Sequence, residues 1–229
     1  MIILDNRLKT IYDMIRDGSK ILDVGSDHGY LITKLILDNK CISGKCVDIN
    51  EKCLNKAKKL ADEYNITDKI IFSLSDGLKG VKENEIDDIV IAGMGSQLIV
   101  RILNDCDWIK KKNDKYLILQ PMLKPWILRE YLYKNGFKII DERVVISHNF
   151  FYVVIGAKFI GEIKEYFDID VLVGTLLNNI NINTKKYFYF LANKFEMIAQ
   201  NILLNGNDLK KYNYYKTRSD QIKNLLKNN

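Results

Sequence analysis

Histidine is almost missing from this chain: 229 residues contain two. Catalytic triads and imidazole-rich metal sites are therefore poor candidates. Four cysteines, Cys41, Cys46, Cys53 and Cys106, show neither Cys-x-x-Cys spacing nor histidine partners. They read as small core residues in a reducing cytoplasm, and no metal is expected. No window approaches the ~20 consecutive apolar residues of a membrane span. The first seven residues lack a basic stretch ahead of an apolar block, so no secretory signal is visible and a cytoplasmic location is expected. The dinucleotide fingerprint G-x-G-x-x-G is absent as well.

What the chain does have is concentrated first in residues 23–31, Asp23-Val24-Gly25-Ser26-Asp27-His28-Gly29-Tyr30-Leu31. The apolar Ile21-Leu22 ahead of them reads as the end of a buried strand, and Tyr30 to Leu37 as a helix. A strand, a two-glycine turn and a helix N-terminus gather backbone N–H groups around a polar ligand. The stretch resembles the first motif of S-adenosylmethionine-dependent methyltransferases, acidic-x-Gly-x-Gly-x-Gly, with Asp27 in place of the middle glycine. The amino-acid end of that cofactor carries an ammonium, which suits the acids Asp23 and Asp27 with Ser26, His28 and Gly29 around it.

A second strand over residues 42–48 ends in Asp48-Ile49, with the acid about 20 positions beyond the glycine turn, where it can accept from two ribose hydroxyls. Glu51 to Tyr64 reads as a helix, with Leu54, Ala57, Leu60 and Ala61 at helical spacing. A third strand, Ile70 to Leu74, ends in Ser75-Asp76-Gly77-Leu78, and Asp76 could accept from an adenine amino group. Three acids thus stand at the carboxyl ends of three consecutive strands. The fourth strand, Ile86 to Ala92, runs into Gly93-Met94-Gly95-Ser96-Gln97. The Asn/Asp-Pro-Pro-aromatic turn common among methylases of exocyclic base amines is missing there. Two glycines instead let the backbone approach a flat ligand, and Met94 can lie against it.

Tyr116 to Gln120 is a fifth strand, and Lys124 to Lys134 a helix stopped by Asn135-Gly136. Lys138 to Ile146 and Phe150 to Phe159, joined by Ser147-His148-Asn149, read as an antiparallel hairpin closing the sheet edge. Alternation of strand and helix predicts an α/β fold, a doubly wound, mostly parallel Rossmann-like sheet of the methyltransferase type. Near Gly161 the composition shifts. Two long helical stretches, Thr184 to Leu204 and Asp208 to Leu226, are divided by Asn205-Gly206-Asn207. Leu191, Phe195, Ile198 and Ile202, with Leu209, Tyr212, Tyr215, Ile222 and Leu225, fall at roughly coiled-coil spacing and predict an antiparallel helical hairpin. The expected domains are residues 1–162 and 163–229. Residues 185–229 hold nine Lys and Arg against three Asp and Glu, which equals the +6 of the whole chain. That asymmetry fits an arm for a polyanion.

Together these residues resemble the bacterial tRNA methyltransferases that act on N1 of adenine 22. The likeness rests on Arg7-Leu8, residues 23–31, Ser75-Asp76-Gly77-Leu78, Ile91-Ala92-Gly93-Met94-Gly95 and Leu117-Ile118-Leu119-Gln120-Pro121. It continues through Leu128-Arg129-x-x-Leu132-x-x-x-Gly136 and Phe151-Tyr152. Ser96 stands where a glycine is usual, and Asp48 where a glutamate is common. The resemblance implies S-adenosylmethionine as cofactor and tRNA as partner. It implies Asp27 and His28 as candidates near the chemistry, and Arg7, Tyr30, Met94 and Gln120 as candidates for holding the base. Lys186, Lys210 and Lys211 are expected to meet the tRNA backbone from a helical, tRNA-binding extension. A small-molecule methyltransferase on the same fold and a non-catalytic RNA-binding relative remain the alternatives.

Overall fold

The computed structural model describes residues 2–111, 114–178, 180–206 and 208–227. They form two compact units that divide between Glu165 and Tyr166, three residues beyond the expected boundary. The first unit opens with a helix, α1 (Asn6–Met14). Its signal is Asp5, whose side chain accepts from the Leu8 N–H at 2.7 Å and satisfies one of the donors left open at a helix start. β1 (Ser19–Val24), α2 (Tyr30–Leu37), β2 (Cys41–Asp48), α3 (Glu51–Glu63) and β3 (Ile70–Leu74) follow. Then come β4 (Asp88–Met94), α4 (Ser96–Asn104), β5 (Tyr116–Pro121), α5 (Pro125–Lys134), β6 (Phe137–Ser147) and β7 (Phe150–Phe159).

The seven strands form one sheet in the order β3-β2-β1-β4-β5-β7-β6. The pairs among β1 to β5 are all parallel, and β7 runs antiparallel to both β5 and β6. The expected hairpin is present, with its second strand inserted next to β5 and its first strand forming the sheet edge. Helices cover both faces of the parallel strands, so those strands are apolar almost throughout. Ile21, Leu22, Ile89, Ile91, Ile118 and Leu119 are buried to within 1% of complete. A fully buried ion pair, Arg129 Nε to Glu142 Oε1 at 2.7 Å, ties α5 to β6. The order reverses at β1, which pairs with β2 on one side and β4 on the other. The carboxyl ends of β1 and β4 thus diverge into the crevice where such sheets take ligands.

The second unit holds α6 (Asp168–Val173), α7 (Ile182–Gly206) and α8 (Leu209–Lys227). α7 and α8 pack antiparallel: Ser219 Oγ donates to Ala192 O at 2.9 Å, and Phe195 lies 5.9 Å from Tyr215 between ring centroids. Glu196 binds Lys216 and Lys223 of the facing helix at 2.9 and 3.0 Å, and those contacts hold its carboxyl down near about 2. The buried row is Phe188, Leu191, Ala192, Phe195 and Ala199, while Ile198 and Ile202 are only half-buried and Leu209 is exposed. Alanines at the seam let the helices approach more closely than a row of isoleucines would. α7 runs on through Asn205 and Gly206; Asn207 of the expected break lies outside the described residues.

Candidate active site

Gly25 follows β1 with φ +74° and leads into a turn in which Asp27 also takes a left-handed φ of +48°. This turn forms the floor of a cleft of about 480 Å³ over the carboxyl ends of β1 and β4. One side comes from Gly25 to Asp27 with His28 and Tyr30. The other comes from Asp5 and Arg7 of the α1 entry, Ala92-Gly93, Met122, Tyr152 and the hairpin residue His148. A smaller compartment of about 70 Å³ adjoins it, lined by Asp48, Ile49, Asp76, Gly77, Met94 and Arg101. Gly25 lines both. A Cβ there would come within 2.2 Å of Met94 Cε, so the methionine methyl rests directly on the glycine between the compartments.

The three carboxylates at or just beyond the ends of β1, β2 and β3 line this space in different states. Asp23 is buried, and burial pushes its carboxyl up from 3.8 to about 6, although the Ser26 hydroxyl donates to it at 2.6 Å. A buried carboxylate without a cationic partner in direct contact is suited to a ligand ammonium. Asp48 lines the smaller compartment, and its Oδ1 accepts from the Asn50 N–H at 2.8 Å, which fixes one carboxylate oxygen. Asp76 is held by Lys79 at 3.1 Å and Arg101 at 2.9 Å, and its carboxyl is lowered, first by the Lys79 contact. The acid at this strand end is thus ion-paired. Arg101 is a member of the site that strand-end logic did not point to, because it comes from the last turn of α4.

Asp27 is exposed, with its carboxylate 3.5 Å from His28 Nε2 and 3.7 Å from Cys53 Sγ. His28 stacks on Tyr30 at 5.5 Å with planes 9° apart, a flat pair at the cleft edge. Arg7 reaches in from α1. Its Nη1 donates to Gln120 Oε1 at 2.9 Å, and its guanidinium lies 6.0 Å from the Tyr152 ring centre. Gln120 is fully buried; its Oε1 also accepts from the Gly93 N–H at 3.1 Å, and its Nε2 donates to Pro121 O at 2.8 Å. Gln120 therefore braces Arg7 and the Gly93 turn from beneath, instead of facing the cleft.

Two of the glycines carry structural duties. Gly29, at φ +72°, would put a Cβ 2.7 Å from Ala57 Cβ, so it lets α2 start tightly against α3. Gly95 has an ordinary φ of −66° and opens α4; only Gly93, at φ +76°, needs a glycine's freedom in that turn. Ser96, the residue that departs from the expected glycine, is buried and aims its hydroxyl at Leu123 O and Lys124 O, 2.6 and 2.9 Å away. It ties α4 to the β5–α5 connection. Asp5, Met122, His148 and Tyr152 were not assigned to the site from sequence. Asp5 carries a legible signal as a helix cap; His148 reads in sequence only as part of the three-residue connection Ser147-His148-Asn149, which the structure tightens to two residues by pairing Ser147 with Phe150.

Lys186, Lys210 and Lys211 lie in the second unit and are exposed. Lys186 is near the start of α7 and the other two near the start of α8; with Ser219 opposite Ala192, the antiparallel packing separates them by roughly 20 Å along the hairpin at 1.5 Å per residue. Lys211 pairs with Asp208, Arg218 with Asp168, and Lys216 and Lys223 with Glu196. Much of the positive charge counted in the sequence is thus balanced inside the unit. Tyr187 is buried, whereas Tyr189 and Tyr214 are exposed and Arg218 lies 3.4 Å over the Tyr214 ring. Among the described residues no group of three or more His, Cys, Asp or Glu could hold a metal, and no helix is long and apolar enough to cross a membrane.

A doubly wound sheet with an inserted antiparallel β7, and a divided cleft over Gly25 and Gly93, define the class of Rossmann-like methyltransferases. The methyltransferase domain family model matches residues 4–155. The curated tRNA (adenine(22)-N(1))-methyltransferase of Bacillus subtilis (strain 168) is 34% identical over 155 residues, 68% of this chain and 65% of that protein. In sequence, then, the chain spans just under two thirds of that relative. The crystal structure of the B. subtilis m1A22 tRNA methyltransferase superposes with a TM-score of 0.87 at 27% identity, covering 99% of this chain and all of the other. M. capricolum TrmK in complex with S-adenosyl-homocysteine superposes at 0.82 with 26% identity, covering 98% of each chain. The chain belongs to this methyltransferase domain family and is similar to tRNA (adenine(22)-N(1))-methyltransferases.

Proposed function

We propose that this protein transfers a methyl group from S-adenosylmethionine to N1 of adenine 22 in tRNA. The observation that carries the reading is the pair of acids at the two ends of one divided cleft. Asp23 is buried at the larger compartment and Asp48 lines the smaller, with Gly25 and Met94 between them. That spacing suits a ligand with an ammonium at one end and a ribose at the other. The cofactor supplies an electrophilic methyl group on a sulfonium. In this reading Asp23 takes the ammonium, Asp48 the ribose hydroxyls and Asp76, steadied by Arg101, the adenine edge, while Ile49 and Met94 give apolar cover.

N1 of neutral adenine carries its own lone pair, so no general base is required. The residues act by aligning N1 with the methyl carbon in a water-poor cleft. N1 lies on the Watson–Crick edge, so the base must leave any pairing or stacking. The His28–Tyr30 pair offers a flat platform for it, and Arg7, braced by Gln120, a fixed donor. The methylated base is cationic, and the Asp27 carboxylate stabilises that developing charge. Lys186, Lys210 and Lys211 meet the RNA backbone along the helical hairpin, and the protein works in the cytoplasm, where its substrate is.

The test is mass analysis of nucleosides after incubating tRNA bearing adenine 22 with the protein and S-adenosylmethionine. One added methyl, recovered as 1-methyladenosine and lost when position 22 is changed, is the expected result. No methyl transfer, or transfer to another atom, overturns the reading.

A further inference from the structure

The turn between β6 and β7 holds two consecutive residues in the left-handed region, His148 at φ +48° and Asn149 at φ +65°. The strands pair up to Ser147 and Phe150, so these two residues are the entire loop. A two-residue hairpin with both central φ values positive is the I′ type, whose first position is taken by preference by Asn, Asp or Gly. Histidine there gives up turn stability that a smaller residue would keep. Backbone choices of that kind concentrate at sites of function.

The ring is also held in place. Ser147 is buried, and its Oγ lies 3.1 Å from His148 Nδ1. Nδ1 is thereby engaged with the hydroxyl, and Nε2 is the ring nitrogen turned away from it. Asn6 Nδ2 donates to Ile146 O at 3.1 Å and pins this end of the hairpin to α1. The exposed His148 lines the mouth of the large cleft, and Phe150 beside it is 65% exposed. An exposed aromatic beside an oriented imidazole, on a turn whose histidine lines the cleft, has the makings of a contact for unpaired RNA. Aromatics stack on splayed bases without regard to their identity.

We propose that the hairpin tip is an RNA-contacting finger. His148 Nε2 donates to a backbone phosphate of the strand entering the cleft, and Phe150 stacks on a base flanking the target adenine. Both act as positioning residues. The inference rests on the tRNA reading above and assigns it two further contacts.

The experiment measures steady-state methylation of tRNA at saturating S-adenosylmethionine for the parent, His148→Asn and Phe150→Ala. Calorimetry with S-adenosylhomocysteine and thermal unfolding accompany it. KM for tRNA should rise about tenfold in each variant, with kcat within about twofold and S-adenosylhomocysteine affinity unchanged. His148→Asn should be at least as stable as the parent, since asparagine suits the turn. If the parent methylates tRNA and both variants keep its KM, or lose kcat instead, the finger is refuted while the enzyme assignment stands. A parent that transfers no methyl to tRNA overturns both.

Discussion

Asp48→Asn separates ribose recognition from folding. The Asp48 Oδ1 accepts the Asn50 N–H at 2.8 Å, a bond that shapes the turn into α3. An asparagine keeps an acceptor oxygen for that N–H. It replaces the second carboxylate oxygen by an NH₂, which sets a donor against two hydroxyl donors. Hydrogen bonds to a charged group contribute about 1.5–3 kcal/mol, and every 1.4 kcal/mol is tenfold in affinity. Loss of the carboxylate should therefore weaken cofactor binding by roughly 10- to 100-fold. The residue is only half-buried and its backbone contact survives, so Tm without ligand should move by no more than about 2 °C, as for a change near ±0.5 kcal/mol. Isothermal calorimetry with S-adenosylhomocysteine measures the first quantity and a thermal melt the second. Unchanged affinity in a variant with an unchanged melt would refute the ribose assignment, and with it the reading that strand-end acids orient the cofactor here.

Three further outcomes are expected. Asp23 titrates near 6 in the folded protein because burial raises it from 3.8. It thus binds its proton more tightly folded than unfolded, and the stability linked to it is fully present below about pH 4 and lost as pH rises through about 6. Asp23→Asn should accordingly stabilise the free protein near pH 8 by up to about 3 kcal/mol and by almost nothing near pH 4, in denaturant titrations at both pH values. A gain of equal size at both would remove the titration of Asp23 as its cause. Asp27→Asn keeps a residue that tolerates the left-handed φ. It should slow single-turnover methyl transfer about 10- to 100-fold at saturating cofactor; a loss confined to cofactor affinity would make Asp27 a ligand residue alone. Replacing Lys186, Lys210 and Lys211 together by alanine should weaken tRNA binding and flatten its salt dependence by about 0.7–0.9 logarithmic units per lost phosphate contact. Filter binding across several salt concentrations checks this, and an unaltered slope would confine tRNA contacts to other residues.

Sequence alone determined the parts of this protein that depend on neighbours along the chain. The strand–glycine–acid repeats around Asp23, Asp48 and Asp76 are local, because each acid ends its own strand. Alternating strands and helices then leave a parallel sheet with those ends on one edge. The long amphipathic pair after Gly161 is legible for the same reason: helical periodicity is a short-range property. What only the tertiary structure decided involves residues distant in sequence. Gln120 stands at a strand end like the acids, yet the meeting of β5 with α1 turns it under the floor, where it braces Arg7 across 113 positions. Gly29 looked like part of a ligand loop, and packing of α2 on α3 explains it. His148, Tyr152 and Asp5 enter the cleft because β7 inserts beside β5 and brings the hairpin and α1 to one rim, a pairing choice made by register and burial. Charge shows the same division. The surplus of lysine and arginine after residue 185 is readable as a count, but which of those side chains are already neutralised depends on the facing helix, where Glu196 meets Lys216 and Lys223.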